Sequence, residues 1–192
     1  MAIKTVYQTL EDRGNPDFIE TNGPFLCSRN NAWLGNGYYF WDSFIENAHW
    51  WGREGARFTN GYFICNAVYD FNEIICFNLI DNPEHLQLFN DAKKIMQERG
   101  LYVANQTTVA RMIEYLQNTL KVFKYEAIRV YGVNSKSFNS PYSSRTIFDK
   151  KHNEKYLDSL PAIQICFYSK TSLNLRNFRI IFPDEYNDDY VV

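Results

Sequence analysis

The sequence predicts an α+β fold, and two observations support this prediction. Short segments rich in β-branched and aromatic residues occur in both halves of the chain, as is typical of strands. Between them, residues 83–122 place apolar side chains at helical spacing. Strands at both ends with helices between them do not form a regular βαβ repeat. We therefore expect a single domain over residues 1–192, with a helical insertion at about residues 83–122.

The first half of the chain is predicted to hold four strands and a helix. The strand segments mix aromatic and β-branched residues with polar neighbours, over residues 4–10, 38–41, 61–71 and 73–80. A helix is predicted for DSFIENAHWWG, because Asp42 and Ser43 are both good N-cap residues.

The second half is predicted to begin with two helices. The first starts at Asn82 or Pro83 and stops at Gly100, and the second covers residues 107–123 with an apolar stripe on one face. Three strands are then expected over residues 126–133, 162–168 and 178–182. A polar loop is expected at 135–145, and the acidic C-terminal end is expected to fray.

Composition excludes several classes of function. The net charge is −2 and no long basic run is present, so the chain lacks the electrostatic footprint of a duplex-nucleic-acid or anionic-membrane binder. No apolar run reaches about 18 residues, and the N-terminus does not resemble a signal peptide. We expect no membrane association and a cytoplasmic location.

Cysteine and histidine usage agrees with that expectation. The four cysteines form no C-x-x-C pair, and Cys65, Cys76 and Cys166 lie in apolar strand-like segments, where buried reduced thiols are usual. The three histidines are scattered without the spacing of metal ligands. No metal site is predicted.

One segment, NAWLGNGYYFWDSFIENAHWW, combines two glycines with many aromatic residues. Gly35 and Gly37 permit positive φ angles or a close approach of the backbone to a ligand, although a plain turn before a strand is the simpler alternative. The phosphate-loop and dinucleotide glycine patterns are both absent. A tyrosine on the strand and a tryptophan on the following helix can sandwich a flat ring, and the alternative is that all these aromatic residues pack in the core.

The segment resembles the signature of ADP-ribosyltransferases of the diphtheria-toxin and poly-ADP-ribose-polymerase type. The family pattern is G-x-G-x-Y-F-x-D, then five residues, then A-x-aromatic. It is matched here by Gly35, Gly37, Tyr39, Phe40, Asp42, Ala48 and Trp50. The resemblance implies that Tyr39 and Trp50 stack on the two faces of the nicotinamide of NAD. It also implies a fold split into two small antiparallel sheets.

Two weaker matches accompany this signature. IQICFY near the C-terminus is similar to the closing strand of the family and places Gln164 at the position of the catalytic glutamate. The first strand would place Tyr7, Gln8 and Thr9 on the family's H-G-[ST]. More closely still, WLGNGYYFW and IQIC resemble a group of uncharacterised bacterial proteins with L-G-x-G-[IV]-Y-F-W and I-Q-I-C motifs.

The resemblance implies a protein that binds NAD or an ADP-ribose-like molecule and transfers ADP-ribose to a protein or nucleic-acid acceptor. Gln164 and Tyr39 would be the catalytic residues, and NAD would contact Tyr7, Thr9, Gly35, Gly37, Tyr39 and Trp50. The pattern departs from the family at Tyr7 and Gln164, because Gln164 carries no charge to stabilise a cationic transition state. Mono-transfer assisted by a carboxylate of the acceptor is compatible with this change. So is a catalytically inactive module of the same fold that binds a protein or nucleic-acid partner, and an unrelated α+β domain remains a third possibility.

Overall fold

A computed structural model describes residues 2–28, 32–132, 145–151 and 156–186. The strands in these ranges are β1 Ala2–Glu11, β2 Tyr38–Asp42, β3 Tyr62–Phe71, β4 Cys76–Asn78, β5 Ala127–Tyr131, β6 Arg145–Ile147, β7 Tyr156–Asp158, β8 Ile163–Phe167 and β9 Arg176–Phe182. The α-helices are α1 Pro16–Asn22, α2 Ile45–Trp50, α3 Pro83–Glu98 and α4 Val109–Glu114. This content confirms the predicted α+β class.

Short turns of other helix types extend these elements. The helices α2 and α4 continue into π-helical turns, and 3₁₀ turns precede and follow β9: Trp51–Gly55, Tyr115–Thr119, Ser172–Asn174 and Asp184–Tyr186. None of the described helices combines the length and the apolar character needed to span a bilayer. Most of the predicted loop at 135–145 and the last six residues lie outside the described ranges.

Seven strands form one sheet in the order β4-β5-β8-β2-β1-β3-β9, and β6 pairs with β7 separately. Only β4 and β5 are parallel, and the other neighbours are antiparallel. The expected pair of separate small sheets is therefore corrected to one continuous sheet. Its two halves join through β1 and β2, which share only the pairs Val6–Asp42 and Tyr7–Trp41. This narrow junction positions the site described below.

The predicted central helices form the crossover between two strands that are neighbours in the sheet. Because β4 and β5 are parallel, their connection has to pass over a face of the sheet. Side chains of Asn82 and Thr108 accept hydrogen bonds from the backbone N–H groups of His85 and Arg111, and so cap α3 and α4. The buried faces of these helices pack on β4, β5 and β8 through Ala92, Ile113, Leu116, Phe77, Ile128 and Cys166.

The sequence assigned Asp42 or Ser43 to a helix N-cap, and this assignment is wrong. Helix α2 begins only at Ile45, after Ser43 adopts a left-handed φ of 73°. Asp42 ends β2 instead, with its side chain fully buried, and its Oδ2 accepts a hydrogen bond from Arg129 Nε at 2.6 Å. Burial alone would lower the pKa of the Arg129 guanidinium, but the Asp42 carboxylate outweighs burial and raises it. Leaving a buried carboxylate without a countercharge costs more free energy than leaving a helix without an N-cap.

We expect Arg129→Met to lower the free energy of unfolding by about 3–5 kcal/mol, because it leaves the Asp42 carboxylate buried without its countercharge. Replacing both residues with apolar ones, Arg129→Met with Asp42→Leu, should cost less than the single change. Urea denaturation measures both values. The exposed pair of Arg111 and Glu114 is the control, and Arg111→Met should change stability by less than about 1 kcal/mol. Equal losses at both sites would contradict the role assigned to Arg129.

His85 at the start of α3 should make stability depend on pH. It is 8% exposed, and its Nδ1 accepts a hydrogen bond from the backbone N–H of Asn78 at 3.0 Å, which requires the neutral ring. Burial lowers its pKa below the ordinary 6.5, and the carboxylates of Glu73 and Glu84 oppose this only in part.

A histidine pKa that is lower in the folded state means that the unfolded chain binds the proton more tightly. The stability contributed by neutral His85 is therefore complete above the ordinary pKa and is lost as the pH falls through the lowered one. We expect the free energy of unfolding to decrease between about pH 8 and about pH 5, and to decrease less steeply in His85→Gln. Urea titrations at several pH values measure the slope, and an unchanged slope in the variant would exclude His85 as its source.

Candidate functional site

The candidate site is a cavity that opens where β1 and β2 separate. Beyond the Tyr7–Trp41 pair, the remaining residues of β1 stay paired with β3 but no longer with β2. Five consecutive residues of β1, from Tyr7 to Glu11, and residues 39–41 of β2 line the resulting space of about 1010 Å³. Cavities that bind small molecules commonly measure about 300–1,000 Å³, so this one has room for a large ligand.

The walls of this cavity are mainly aromatic, and we call it the aromatic cleft. Its ring-bearing lining residues come from all parts of the first half of the chain: Tyr7, Phe18, Phe25, Trp33, Tyr39, Phe40, Trp41, Trp51 and Phe58. Among the described lining residues, Glu11 is the only carboxylate and Arg13 the only cation, and they pair with each other at 2.8 Å. Such walls suit flat ring systems.

Four of the residues predicted from the sequence line the aromatic cleft together: Tyr7, Thr9, Tyr39 and Gln164. The Thr9 hydroxyl donates to the backbone oxygen of Ala48 at 2.9 Å and so ties β1 to α2. Burial, followed by nearby Glu46, raises the pKa of the Tyr7 phenol, which keeps it protonated. Its hydroxyl makes no hydrogen bond with any described residue, so it is available to a ligand.

The hydroxyl of Tyr39 has a structural task. It donates to the backbone oxygen of Gly35 at 2.7 Å and accepts from the backbone N–H of Leu34 at 2.8 Å. These bonds close the glycine-containing turn before β2. Burial, more than neighbouring Cys166, raises the pKa of this phenol, so Tyr39 is not poised to act as a base.

Gly35, Gly37 and Trp50, also predicted as NAD contacts, are not among the residues lining the aromatic cleft. Gly35 has a φ of +93°, which the turn requires. A Cβ atom on Gly37 would collide with the Cys166 sulfur and lie 2.7 Å from the Phe167 backbone oxygen, so this glycine allows close contact with β8. Trp50 packs edge-to-face on Trp41 with ring centroids 6.1 Å apart. Its neighbour Trp51 lines the cleft instead.

The lining residues that sequence reasoning did not assign to the site include Gln8, Trp33, Trp41 and Trp51. Strand alternation was a usable signal for Trp41, because it places Trp41 on the same face as Tyr39. The first-strand match already contained Gln8. Helical spacing alone did not decide whether Trp50 or Trp51 faces the cleft. For Trp33 we find no signal in the sequence.

Register aligns three of the lining residues in one row across the sheet. Trp41 pairs with Tyr7 of β1 on one side and with Gln164 of β8 on the other. Residues directly opposite on neighbouring strands project to the same face, with Cβ atoms about 4.5–5.5 Å apart. The row therefore presents an indole flanked by a phenol and an amide.

The side chain of Gln8 holds the separated strands and the adjoining loop together. Its amide nitrogen donates to the backbone oxygens of Phe25 and Tyr39, each at 3.2 Å, and its amide oxygen accepts from the Phe25 N–H at 3.1 Å. Gln8 is 6% exposed, so its polar atoms need these partners. It replaces strand pairing at the point where β2 has moved away from β1.

One fully buried polar atom among the described residues of the wall lacks a partner. The Oδ1 atom of Asn15, at the start of α1, is buried and makes no hydrogen bond with any described residue. Asn15 also lines the aromatic cleft. A buried acceptor without a partner is costly, and a ligand that donates a hydrogen bond would remove that cost.

The described residues assemble no metal centre at this place, and Cys27 is the free thiol among the described lining residues. The described residues contain no group of three or more His, Cys, Asp and Glu side chains suited to holding a metal ion. Cys65, Cys76 and Cys166 are buried free thiols, as their strand-like segments predicted. Burial raises the pKa of the Cys166 thiol to about 12, which keeps it unreactive.

Comparison of this chain with protein-family models, with curated proteins and with solved structures found no match. The class of protein it represents is therefore defined by the fold and the aromatic cleft: an α+β protein with a large aromatic cavity at a strand separation.

We expect Gln8→Ala to loosen the cleft and to lower the free energy of unfolding by about 1–3 kcal/mol, because three buried backbone groups lose their partner. Hydrogen exchange at the Phe25 amide should accelerate, and NMR can measure it residue by residue. Gln87→Ala is the matched control, since Gln87 makes one exposed bond to Asp91. It should change stability by less than about 0.5 kcal/mol. Unchanged protection at Phe25 in Gln8→Ala would show that other contacts hold the loop.

Proposed function

We propose that the aromatic cleft binds NAD or another ADP-ribose-bearing ligand, in the manner of the ADP-ribosyltransferases that the sequence resembles. The observation that carries the proposal is the row of Tyr7, Trp41 and Gln164. Each comes from one of the three segments in which the resemblance was noted, and the sheet register makes them neighbours. Segments far apart in sequence thus contribute to one cavity.

The residues present suit such a ligand in several respects. Trp51 packs against the buried Trp41, with ring centroids 6.2 Å apart, and its more exposed indole can contact a heteroaromatic ring in the cleft. The phenol of Tyr7 and the unpartnered Asn15 oxygen can bond to polar groups of the ligand. The cavity lies where the one sheet divides, beyond the two residue pairs that join β1 to β2.

The reaction proposed for an active form is mono-ADP-ribosyl transfer. The bond between the ribose C1 and the nicotinamide nitrogen breaks, and nicotinamide leaves with the electron pair. An oxygen or nitrogen of a protein or nucleic-acid acceptor forms the new bond to C1 and loses its proton. No described residue of the cleft other than Glu11 carries a negative charge to stabilise the cationic ribose, so the acceptor has to contribute one.

That shortage of carboxylates favours a second candidate function. Gln164 is neutral, and Glu11 is already paired with Arg13. A module that retains the cavity but does not catalyse transfer, and that binds a protein or nucleic-acid partner, fits these observations equally well. Transfer of ADP-ribose from NAD to an acceptor distinguishes the active transferase from the inactive binding module.

We expect isothermal titration to detect NAD binding by the wild-type chain, and adjacent tryptophans provide a matched pair of variants. Trp51→Leu should weaken binding by about three- to tenfold, the value of a lost aromatic contact, because Trp51 lines the cleft. Trp50→Leu should change the dissociation constant by less than about twofold, since Trp50 packs on Trp41 outside the lining. Thermal denaturation of both variants checks that they fold.

Absence of both heat and a thermal shift at millimolar NAD would refute the proposal, because a ligand bound to the folded state must raise stability. If Trp50→Leu weakens NAD binding more than Trp51→Leu does, Trp50 is the stacking residue, as the sequence predicted. Incubation with NAD labelled in the adenosine portion then tests transfer. Label on any acceptor excludes the inactive module, and binding without label supports it.

A further inference from the structure

We propose that Gln164 acts on its ligand as a hydrogen-bond donor, so that the aromatic cleft selects a flat heteroaromatic ring bearing a carbonyl oxygen. This inference rests on the proposed function in taking the aromatic cleft to be a ligand site. It differs from the glutamate that the resemblance expects at this position, because an ionised carboxylate can only accept hydrogen bonds.

The orientation of the Gln164 amide carries the inference. Trp33 Nε1 donates a hydrogen bond to Gln164 Oε1 at 3.0 Å. An indole N–H can only donate, so the reversed amide would place two donors against each other. Trp33 thereby fixes the oxygen on its own side and leaves the NH₂ group on the other.

The NH₂ group of Gln164 is available to a ligand. The side chain lines the aromatic cleft, yet its amide nitrogen makes no hydrogen bond with any described residue. The residue is 8% exposed, and its amide nitrogen is not among the described buried atoms that lack a partner, so a ligand in the cleft can reach this nitrogen. An acceptor atom of a bound molecule would satisfy it.

Packing prevents the side chain from moving away. Gly132 lies against it so closely that a Cβ atom there would be 3.0–3.3 Å from three carbon atoms of Gln164. On its other side Gln164 neighbours Trp41 in the strand register. A flat ring held in the cleft beside Trp41 would thus bring a carbonyl substituent to the NH₂ group of Gln164. The Tyr7 hydroxyl, on the far side of Trp41, can donate or accept and does not set the polarity.

Two small probes of matched shape test the proposal without relying on NAD. The compounds 3-acetylpyridine and 3-ethylpyridine differ by one carbonyl oxygen. In NMR titrations of the ¹⁵N-labelled wild-type chain, 3-acetylpyridine should bind at least about fivefold tighter. It should also shift the side-chain NH₂ signals of Gln164, and 3-ethylpyridine should not. Equal affinity, no binding of either probe, or binding that leaves the Gln164 signals unmoved would overturn the proposal.

Two variants test whether the preference for 3-acetylpyridine depends on Gln164 and Trp33. Q164E keeps an oxygen for Trp33 and removes the donor, so its preference for 3-acetylpyridine should disappear, with binding of that probe about tenfold weaker. Tighter binding by Q164E would show that position 164 accepts and would refute the inference. W33F removes the indole N–H together with the five-membered ring, frees the amide to flip, and should lower the ratio of the two dissociation constants. An unchanged ratio in W33F would refute the orienting role of Trp33, and thermal denaturation shows whether each variant is folded.

The outcomes for NAD and for the probes are separable. Binding of NAD without a preference between the pyridines would refute the donor role alone. A carbonyl preference without NAD binding would refute the NAD proposal alone and leave the polarity of Gln164 established.

Discussion

The buried ion pair of Asp42 and Arg129 is the interaction on which the rest of this structure depends. Asp42 lies in the Val6–Asp42 pair, one of only two that join β1 to β2, and Arg129 reaches it from β5 across the intervening β8. The pair therefore spans three adjacent strands, next to the junction of β2 with β1. Tyr69 and Ser43 donate further hydrogen bonds to the same carboxylate. A charge buried this fully is tolerated only where such partners converge, so it specifies how the two halves of the sheet meet.

Beyond this junction, the separation of β1 from β2 creates both the cavity and a problem of unpaired backbone groups. Strands that part expose N–H and C=O groups that the sheet would otherwise satisfy. Gln8 satisfies three such groups with one side chain, and the Tyr39 hydroxyl satisfies two more in the preceding turn. Aromatic rings cover the remaining walls. Because the scaffold already uses these polar groups, the Tyr7 hydroxyl, the Gln164 NH₂ group and the Asn15 oxygen remain without partners among the described residues.

The sequence predicted elements well where local physics decides them. Alternating and β-branched segments became β1, β3, β5, β8 and β9, and Asn82 became the cap of α3. The prediction was wrong at Asp42, since a local rule favours a cap and a partner 87 residues away favours a buried ion pair. The second central helix ended early in a π-helical turn from Tyr115 to Thr119, which no spacing of apolar residues foretold. For the site, Tyr7, Thr9, Tyr39 and Gln164 came together in one cavity, which Trp51 lines and Trp50 does not.

By itself the sequence determined the α+β class, the central helices and the concentration of aromatic residues around a glycine turn. These follow from side-chain periodicity and turn chemistry, which act over a few residues. Only the tertiary structure decided that one sheet contains both halves, that it opens between β1 and β2, and which way the amide of Gln164 faces. Those features depend on strand register and on contacts between residues as distant as Trp33 and Gln164, and no local pattern encodes such contacts.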